Sequence, residues 1–128
     1  MGNSRSGFTL IELLIVVVII GILATIAIPK FASSKDKSRL ASVRSDLRNL
    51  MTSQEAYFFD YNAFADWSNL QSKTNANITL GNTVAVTTGT NGYTATISNA
   101  AISTGFTKCQ VQVGGGAVAG VDGVIICS

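Results

Sequence analysis

Between Phe8 and Ile28 the chain reads FTLIELLIVVVIIGILATIAI, 21 residues in which Glu12 is the only ionisable side chain. At about 1.5 Å of rise per residue, a helix of that length spans roughly 30 Å, the thickness of a bilayer's hydrocarbon core. A carboxylate at mid-membrane costs about 2.5–3.5 kcal/mol on insertion scales, so Glu12 needs a partner or a task. One task is local. Thr9-Leu10-Ile11-Glu12 fits the S/T-x-x-E capping box, in which the acid satisfies backbone donors at the helix start and complements the helix dipole. Other chemistry is scarce. The chain has no histidine, which excludes Ser-His and Cys-His nucleophilic pairs and a His-ligated metal. Nor does it offer paired carboxylates for acid–base work. The expectation is therefore no catalytic residues, no metal and no cofactor, with a single-pass membrane enzyme as the disfavoured alternative.

What precedes the run narrows its use. A secretory signal places its small-residue cleavage site after the apolar stretch. Here the small residue, Gly7, comes before it, behind six residues with one Arg. Cleavage at Gly7 would discard a short polar leader, residues 1–7, and keep the hydrophobic helix. In that order, and in Gly7-Phe8-Thr9-Leu10-Ile11-Glu12, the chain closely resembles the type IV pilin and pseudopilin family. The resemblance runs from Arg5 to about Phe31, Gly21 and Pro29 included, and beyond that is one of layout.

The resemblance implies that a prepilin peptidase and methyltransferase cuts between Gly7 and Phe8 and N-methylates Phe8. It also implies that Glu12 pairs with the methylated amine of a neighbouring subunit. Physical chemistry agrees: an α-amine with a reference pKa of about 7.7–8.0 is largely charged at neutral pH. Two opposite charges in an apolar bundle attract, and each alone would be costly. The implied protein is a structural, major-pilin-like subunit of a type IV pilus. It would sit in the inner membrane by a single pass, head outside the cytoplasm, until an assembly platform and motor polymerise it with copies of itself into a helical cell-surface filament. A pseudopilin of a type II secretion or DNA-uptake system is the alternative. The bland reading of the apolar run is an ordinary anchor, and the Gly7-Phe8 site speaks against it.

Charge and cysteines bound the rest. After the membrane run and a long helix, few of the 128 residues remain for a core, so it should need a staple. Cys109 and Cys127 can supply one. An even count near the end of a membrane-anchored chain points to an oxidising, extracytoplasmic compartment and a disulfide contributing about 3 kcal/mol. Two buried free thiols are the alternative. Nothing in the net charge of +2 demands a nucleic-acid partner. The charge is uneven, however: Lys30, Lys35, Lys37, Arg39, Arg44 and Arg48 face only Asp36 and Asp46 in that stretch. By the positive-inside rule this basic side belongs in the cytoplasm. The cysteines, and the cytoplasmic cleavage that the resemblance implies, put it outside, and that orientation is preferred. The basic stretch itself reads as a solvated or intersubunit helix face.

The elements follow from periodicity. Pro29 removes a hydrogen bond and disfavours helical geometry at Ile28, so a kink or local break is expected there, with Gly21 a further loosening point. Beyond it Leu40, Val43, Leu47, Leu50, Gln54, Tyr57 or Phe58, and Tyr61 mark one apolar face of a helix that continues to about Tyr61. The expected layout is a leader at 1–7, a transmembrane and filament-core helix at 8–29, an amphipathic half at 30–61, and a globular β-sheet head with a C-terminal disulfide loop at 62–128. Residues 62–77 lack a period and read as a connecting loop. Thr83–Thr88 and Tyr93–Ile97 alternate at period two around Asn91-Gly92, a hairpin signal. Lys108–Val113 and Val121–Cys127 form a second pair across Gly114–Asp122. With Cys109 opposite Cys127, Val111 faces Ile125 and Val113 faces Gly123. The fold class is α+β: a long N-terminal helix packed on a small four-stranded antiparallel sheet, a layout that also resembles pilin heads. Tyr57, Phe58, Phe59, Tyr61, Phe64 and Trp67 read as core between helix and sheet with a few exposed rings. Asn77-Ile78-Thr79 fits a glycosylation sequon.

Overall fold

The computed structural model describes residues 7–115 and 122–128. It divides into two compact units, one running through Ser34 and the other comprising Lys35–Ser128. The first helix, α1 (Leu10–Tyr61), contributes to both.

In the first unit, α1 contains the run Val16-Val17-Val18-Ile19-Ile20, whose β-branched side chains lower helix propensity in water. In an apolar medium this matters less, because the backbone can satisfy its polar groups only within its own helix. The break expected at Gly21 and Pro29 is not found: α1 continues through both. Pro29 withholds a single N–H, and helix-compatible residues on either side hold the adjoining turns. Thr25 Oγ1 also donates to the carbonyls of Gly21 (2.8 Å) and Ile22 (3.0 Å), tying in the glycine's turn.

The second unit has the core. Val43, Leu47, Leu50 and Gln54 of α1 are buried, the stripe expected from the three- and four-residue spacing. Leu40 and Tyr57 are partly covered, whereas Phe58 and Tyr61 remain exposed. Gln54 is fully buried yet satisfied, its amide donating to the Ala65 carbonyl (2.6 Å) and accepting from the Ala65 N–H (3.0 Å). That pair anchors the chain just beyond α1, which ends where Asn62, at φ 52°, returns its N–H to the Phe58 carbonyl (2.8 Å).

The stretch 62–77, expected to be loop throughout, contains a second helix, α2 (Trp67–Thr74). Asp66 caps its start by accepting from the Asn69 N–H, Asn75 closes its end in the left-handed region, and Leu70 is buried in the core. Eight residues are too few for a helical period to show in sequence.

Four antiparallel strands follow in the order β1-β2-β3-β4: Thr83–Gly89, Gly92–Ser98, Lys108–Gly114 and Ile126–Cys127. Tyr93, Ala95, Ile97, Cys109 and Val111 turn inward onto Val43, Leu47, Leu50, Ala65 and Leu70. Pairing of Gly89 with Gly92 leaves Thr90-Asn91, rather than Asn91-Gly92, as the hairpin turn. Gly92 has a different job. It lies opposite Gly114 on β3, where a Cβ would collide with the Val113 carbonyl oxygen.

Cys109 and Cys127 are bonded and lie opposite one another, with Gln110 opposite Ile126, the expected register. Lys108 and Ser128 exchange backbone hydrogen bonds (3.3 and 3.0 Å), so the cysteines occupy the next, non-hydrogen-bonded pair, where antiparallel strands approach most closely. Their Cα atoms are 4.0 Å apart. The ladder is shorter than expected. It stops at Gln110–Ile126, so Val111–Ile125 and Val113–Gly123 are not strand pairs. Gly123 adopts φ 74° and donates instead to the Gln112 carbonyl (2.8 Å), and Asp122 Oδ1 takes the Gly114 N–H (2.8 Å). Val121 and most of the expected turn lie outside the described residues.

Candidate functional site

The start of α1 brings together the residues that the sequence marked. Gly7, Phe8 and Thr9 precede the helix and are exposed, Phe8 at 79%. Thr9 and Glu12 form a closed reciprocal box. The Thr9 N–H (2.9 Å) and Thr9 Oγ1 (2.6 Å) both donate to Glu12 Oε2, and the Glu12 N–H donates to Thr9 Oγ1 (3.3 Å). Only one carboxylate oxygen is engaged. Among the described residues Glu12 Oε1 accepts nothing, so half of the acceptor capacity is free.

The surroundings are greasy on every side. Along α1 the side chains of Leu10, Ile11 and Leu13 to Ile20 are all exposed, and so are Ile22, Leu23, Ile26, Ile28 and Phe31. This is one helix long and apolar enough to cross a membrane, and none of its apolar window is buried. A free carboxylate oxygen on such a surface offers a cation one place to dock. Gly7 has nothing within 4 Å of where a Cβ would stand, so its small size answers no packing need among the described residues.

Two acids of the basic stretch organise the head. Asp36 and Asp46 are buried to 4% and 5% exposure. Asp36 Oδ2 accepts from the hydroxyls and N–H groups of Ser103 and Thr104 (2.8–3.2 Å). Its Oδ1 takes Arg39 Nη1 (3.2 Å), which also reaches the Ala101 carbonyl (2.6 Å). The Thr104 hydroxyl foremost, with Ser103 and the two backbone donors, outweighs desolvation and holds the Asp36 carboxyl down at about 2. Asp46 accepts from the Thr79 N–H (2.8 Å), Thr79 Oγ1 (2.9 Å) and Asn82 Nδ2 (2.6 Å), and Asn82 in turn receives Asn99 Nδ2 (2.7 Å). The signal was present: both acids recur in phase with the Val43-Leu47-Leu50 stripe. Thr79, part of the sequon, is thus committed to Asp46.

The aromatic residues split as expected between core and surface. Phe64 stacks on Phe58 (4.8 Å) and tilts onto Tyr93 (5.1 Å), while Phe59 is 89% exposed. Burial, reinforced by the carboxylates of Glu55 and Asp122, pushes the Tyr93 phenol up to about 12.

The geometry is that of an exposed helix, long and apolar enough to cross a membrane, that opens on a glycine, an aromatic residue and a capped glutamate. Comparison with known proteins agrees. The prokaryotic N-terminal methylation motif matches residues 2–28. The chain is 46% identical over 68 residues to the type IV major pilin protein PilA of Myxococcus xanthus, covering 52% of this chain and 31% of that protein. It is 45% identical over 60 residues to the type IV major fimbrial protein FimA of Dichelobacter nodosus (47% and 38%). To the type II secretion system core protein G of Pseudomonas aeruginosa it is 37% identical over 62 residues (48% and 44%). Over this N-terminal region the chain is similar to type IV pilins and to the related type II secretion core protein. It spans less than half the length of these curated relatives, which are structural proteins rather than enzymes.

Proposed function

We propose that this chain is the structural subunit of a type IV pilus. It is made as a prepilin, cut between Gly7 and Phe8, methylated on the Phe8 amine, and polymerised through α1. Before assembly it stands in the inner membrane as a single pass with residues 35–128 outside the cytoplasm, and an assembly platform and motor then draw it into a cell-surface filament. The observation that carries this reading is the half-used Glu12 carboxylate on an otherwise wholly apolar, unburied helix surface. In a bundle of such helices the Phe8 amine of an incoming copy is the cation that Glu12 Oε1 can receive, while Oε2 keeps its own helix capped. The disulfide supports an extracytoplasmic head.

The test is processing. Intact-mass analysis of the native subunit should give a chain beginning at Phe8 with one added methyl group, and Gly7→Val should leave the leader in place and the cells bare of filaments. Retention of Met1, or cleavage beyond the apolar run, would refute it. Similarity to a type II secretion core protein favours a second reading, a pseudopilin forming a short periplasmic fibre. Electron microscopy of whole cells separates the two, since only the pilus subunit forms long surface filaments when expressed at its native level.

A further inference from the structure

The head carries a fixed apolar knob and, across α1 from it, an apolar groove. The knob is Leu80, 100% exposed. It occupies the corner of a tight turn closed by the Asn82 N–H on the Thr79 carbonyl (3.0 Å), with Gly81 at φ 93° in the position where such a turn needs glycine. The turn is pinned on both sides, because buried Asp46 accepts from Thr79 and Asn82. With the backbone of the turn pinned, docking Leu80 costs the entropy of its own side chain and little from ordering a loop.

The groove encloses about 290 Å³ and is lined by Glu55, Phe58, Phe59, Phe64, Tyr93 and Val113. Its walls are mainly aromatic and aliphatic. Glu55 is the exception: exposed, and without a hydrogen bond or ion pair among the described residues. The knob has a matching cation. Arg39, with 38% of its side chain exposed although it holds Asp36, lines the same surface recess as Leu80. At about 100° per residue, Ser42 and Asp46 beside the knob lie on one side of α1's buried stripe and Glu55 lies on the other. One chain therefore cannot fill its own groove with its own Leu80.

We propose that Leu80 of one copy seats in the Glu55/Phe58/Phe59/Phe64 groove of a second copy, with Arg39 of the first facing Glu55 of the second. This rests on the filament reading and specifies a lateral contact between heads, separate from the Glu12 contact between helices. Knob and groove are different patches, so the contact is heterologous and repeats from copy to copy without closing, as a filament requires. Leu80 is level with Asp46 and the groove with residues 55–59. Neighbours joined this way are offset by roughly 15–20 Å along α1 at 1.5 Å per residue.

The experiment compares filaments from cells carrying the unaltered chain, Leu80→Asp, Phe59→Asp, and the double variant Leu80→Cys/Phe59→Cys. Either aspartate variant should lower filament yield about tenfold or more, the loss expected when one leucine contact of this kind is removed. The melting temperature of the detergent-solubilised subunit should not change, since both side chains are exposed. A short bismaleimide added to filaments of the double-cysteine variant should give a ladder of covalent oligomers that is absent when Leu80→Cys or Phe59→Cys is made alone. Normal filament yield from Leu80→Asp, or filaments of the double variant that give no ladder, overturns the contact and leaves the filament reading standing. Absence of filaments from the unaltered chain at native expression removes the filament reading, and the contact with it.

Discussion

Glu12 caps its own helix and, in the proposed filament, receives the Phe8 amine of another copy; different substitutions pull the two apart. Glu12→Gln keeps the capping box, because a glutamine oxygen can still accept from Thr9, but removes the charge. If the charge receives the Phe8 amine, Glu12→Gln and Glu12→Ala should both leave subunit level and membrane insertion normal and reduce filaments to few or none. If the cap is what matters, Gln should support near-normal filament numbers by electron microscopy and Ala should not. Asp36 gives a second residue-scale prediction. Its folded pKa, about 2 against an ordinary 3.8, is depressed, so its stabilisation is present above about pH 4 and lost as pH falls through about 2. The melting temperature of the detergent-solubilised subunit should decline over that window. Asp36→Asn should be less stable at neutral pH and show a shallower decline; parallel pH profiles would remove the role assigned to the carboxylate. The two residues are not equally legible in the sequence. Glu12 stood out because nothing else in 21 residues was charged, whereas Asp36 and Asp46 lay among basic residues, and their partners, Ser103, Thr104 and Thr79, are distant in sequence.

At the scale of elements, legibility followed the length of the pattern. α1 and the first three strands repeat a period for long enough to be read, and the cysteine register followed from matching two short strands. α2 was missed because its signals are a cap at Asp66 and one buried leucine rather than a period. β4 is shorter than expected because the continuous apolar run Val124–Cys127 reads as strand, whereas the pairing ends at Ile126 and the chain turns at Gly123 with φ 74°. The observed β4 has two paired residues, held by the disulfide and by the Ser128–Lys108 hydrogen bonds. Reduction, or Cys109→Ser with Cys127→Ser, should therefore release this strand first. The expected cost is about 2–4 kcal/mol in urea unfolding, with amide exchange accelerating at Ile126–Ser128 well before Ala95 or Val111. Equal acceleration across all four strands would mean that the bond supports the whole sheet. Gly92→Ala should act at the other end of the same layer. Its Cβ has no room beside the Val113 carbonyl, and destabilisation of about 1–3 kcal/mol is expected for such overpacking.

The two units of the molecule ask for different surroundings. Every buried residue among those described, from Asp36 onward, falls in the unit Lys35–Ser128, and no buried side-chain nitrogen or oxygen there lacks a hydrogen-bond partner. In the other unit the described residues bury none of their large apolar side chains, so their stability must come from lipid or from other copies. Lipid tails and packed helices are similarly apolar, so transfer between them changes the hydrophobic term little. On the proposed filament reading, that similarity lets one helix serve before and after assembly without refolding the head. The division predicts that a chain beginning at Lys35 folds by itself. It should be a soluble monomer without detergent, with the disulfide formed. Its melting temperature should lie within about 5 °C of the detergent-solubilised full chain, a shift of about 1 kcal/mol for a domain of this size. The full chain, lacking detergent, should associate. Gel filtration with light scattering, paired with circular dichroism melts, measures both. A truncated chain that is unfolded, or that associates as strongly as the intact one, would mean that the head borrows stability from the first 34 residues and that assembly and folding are not separable.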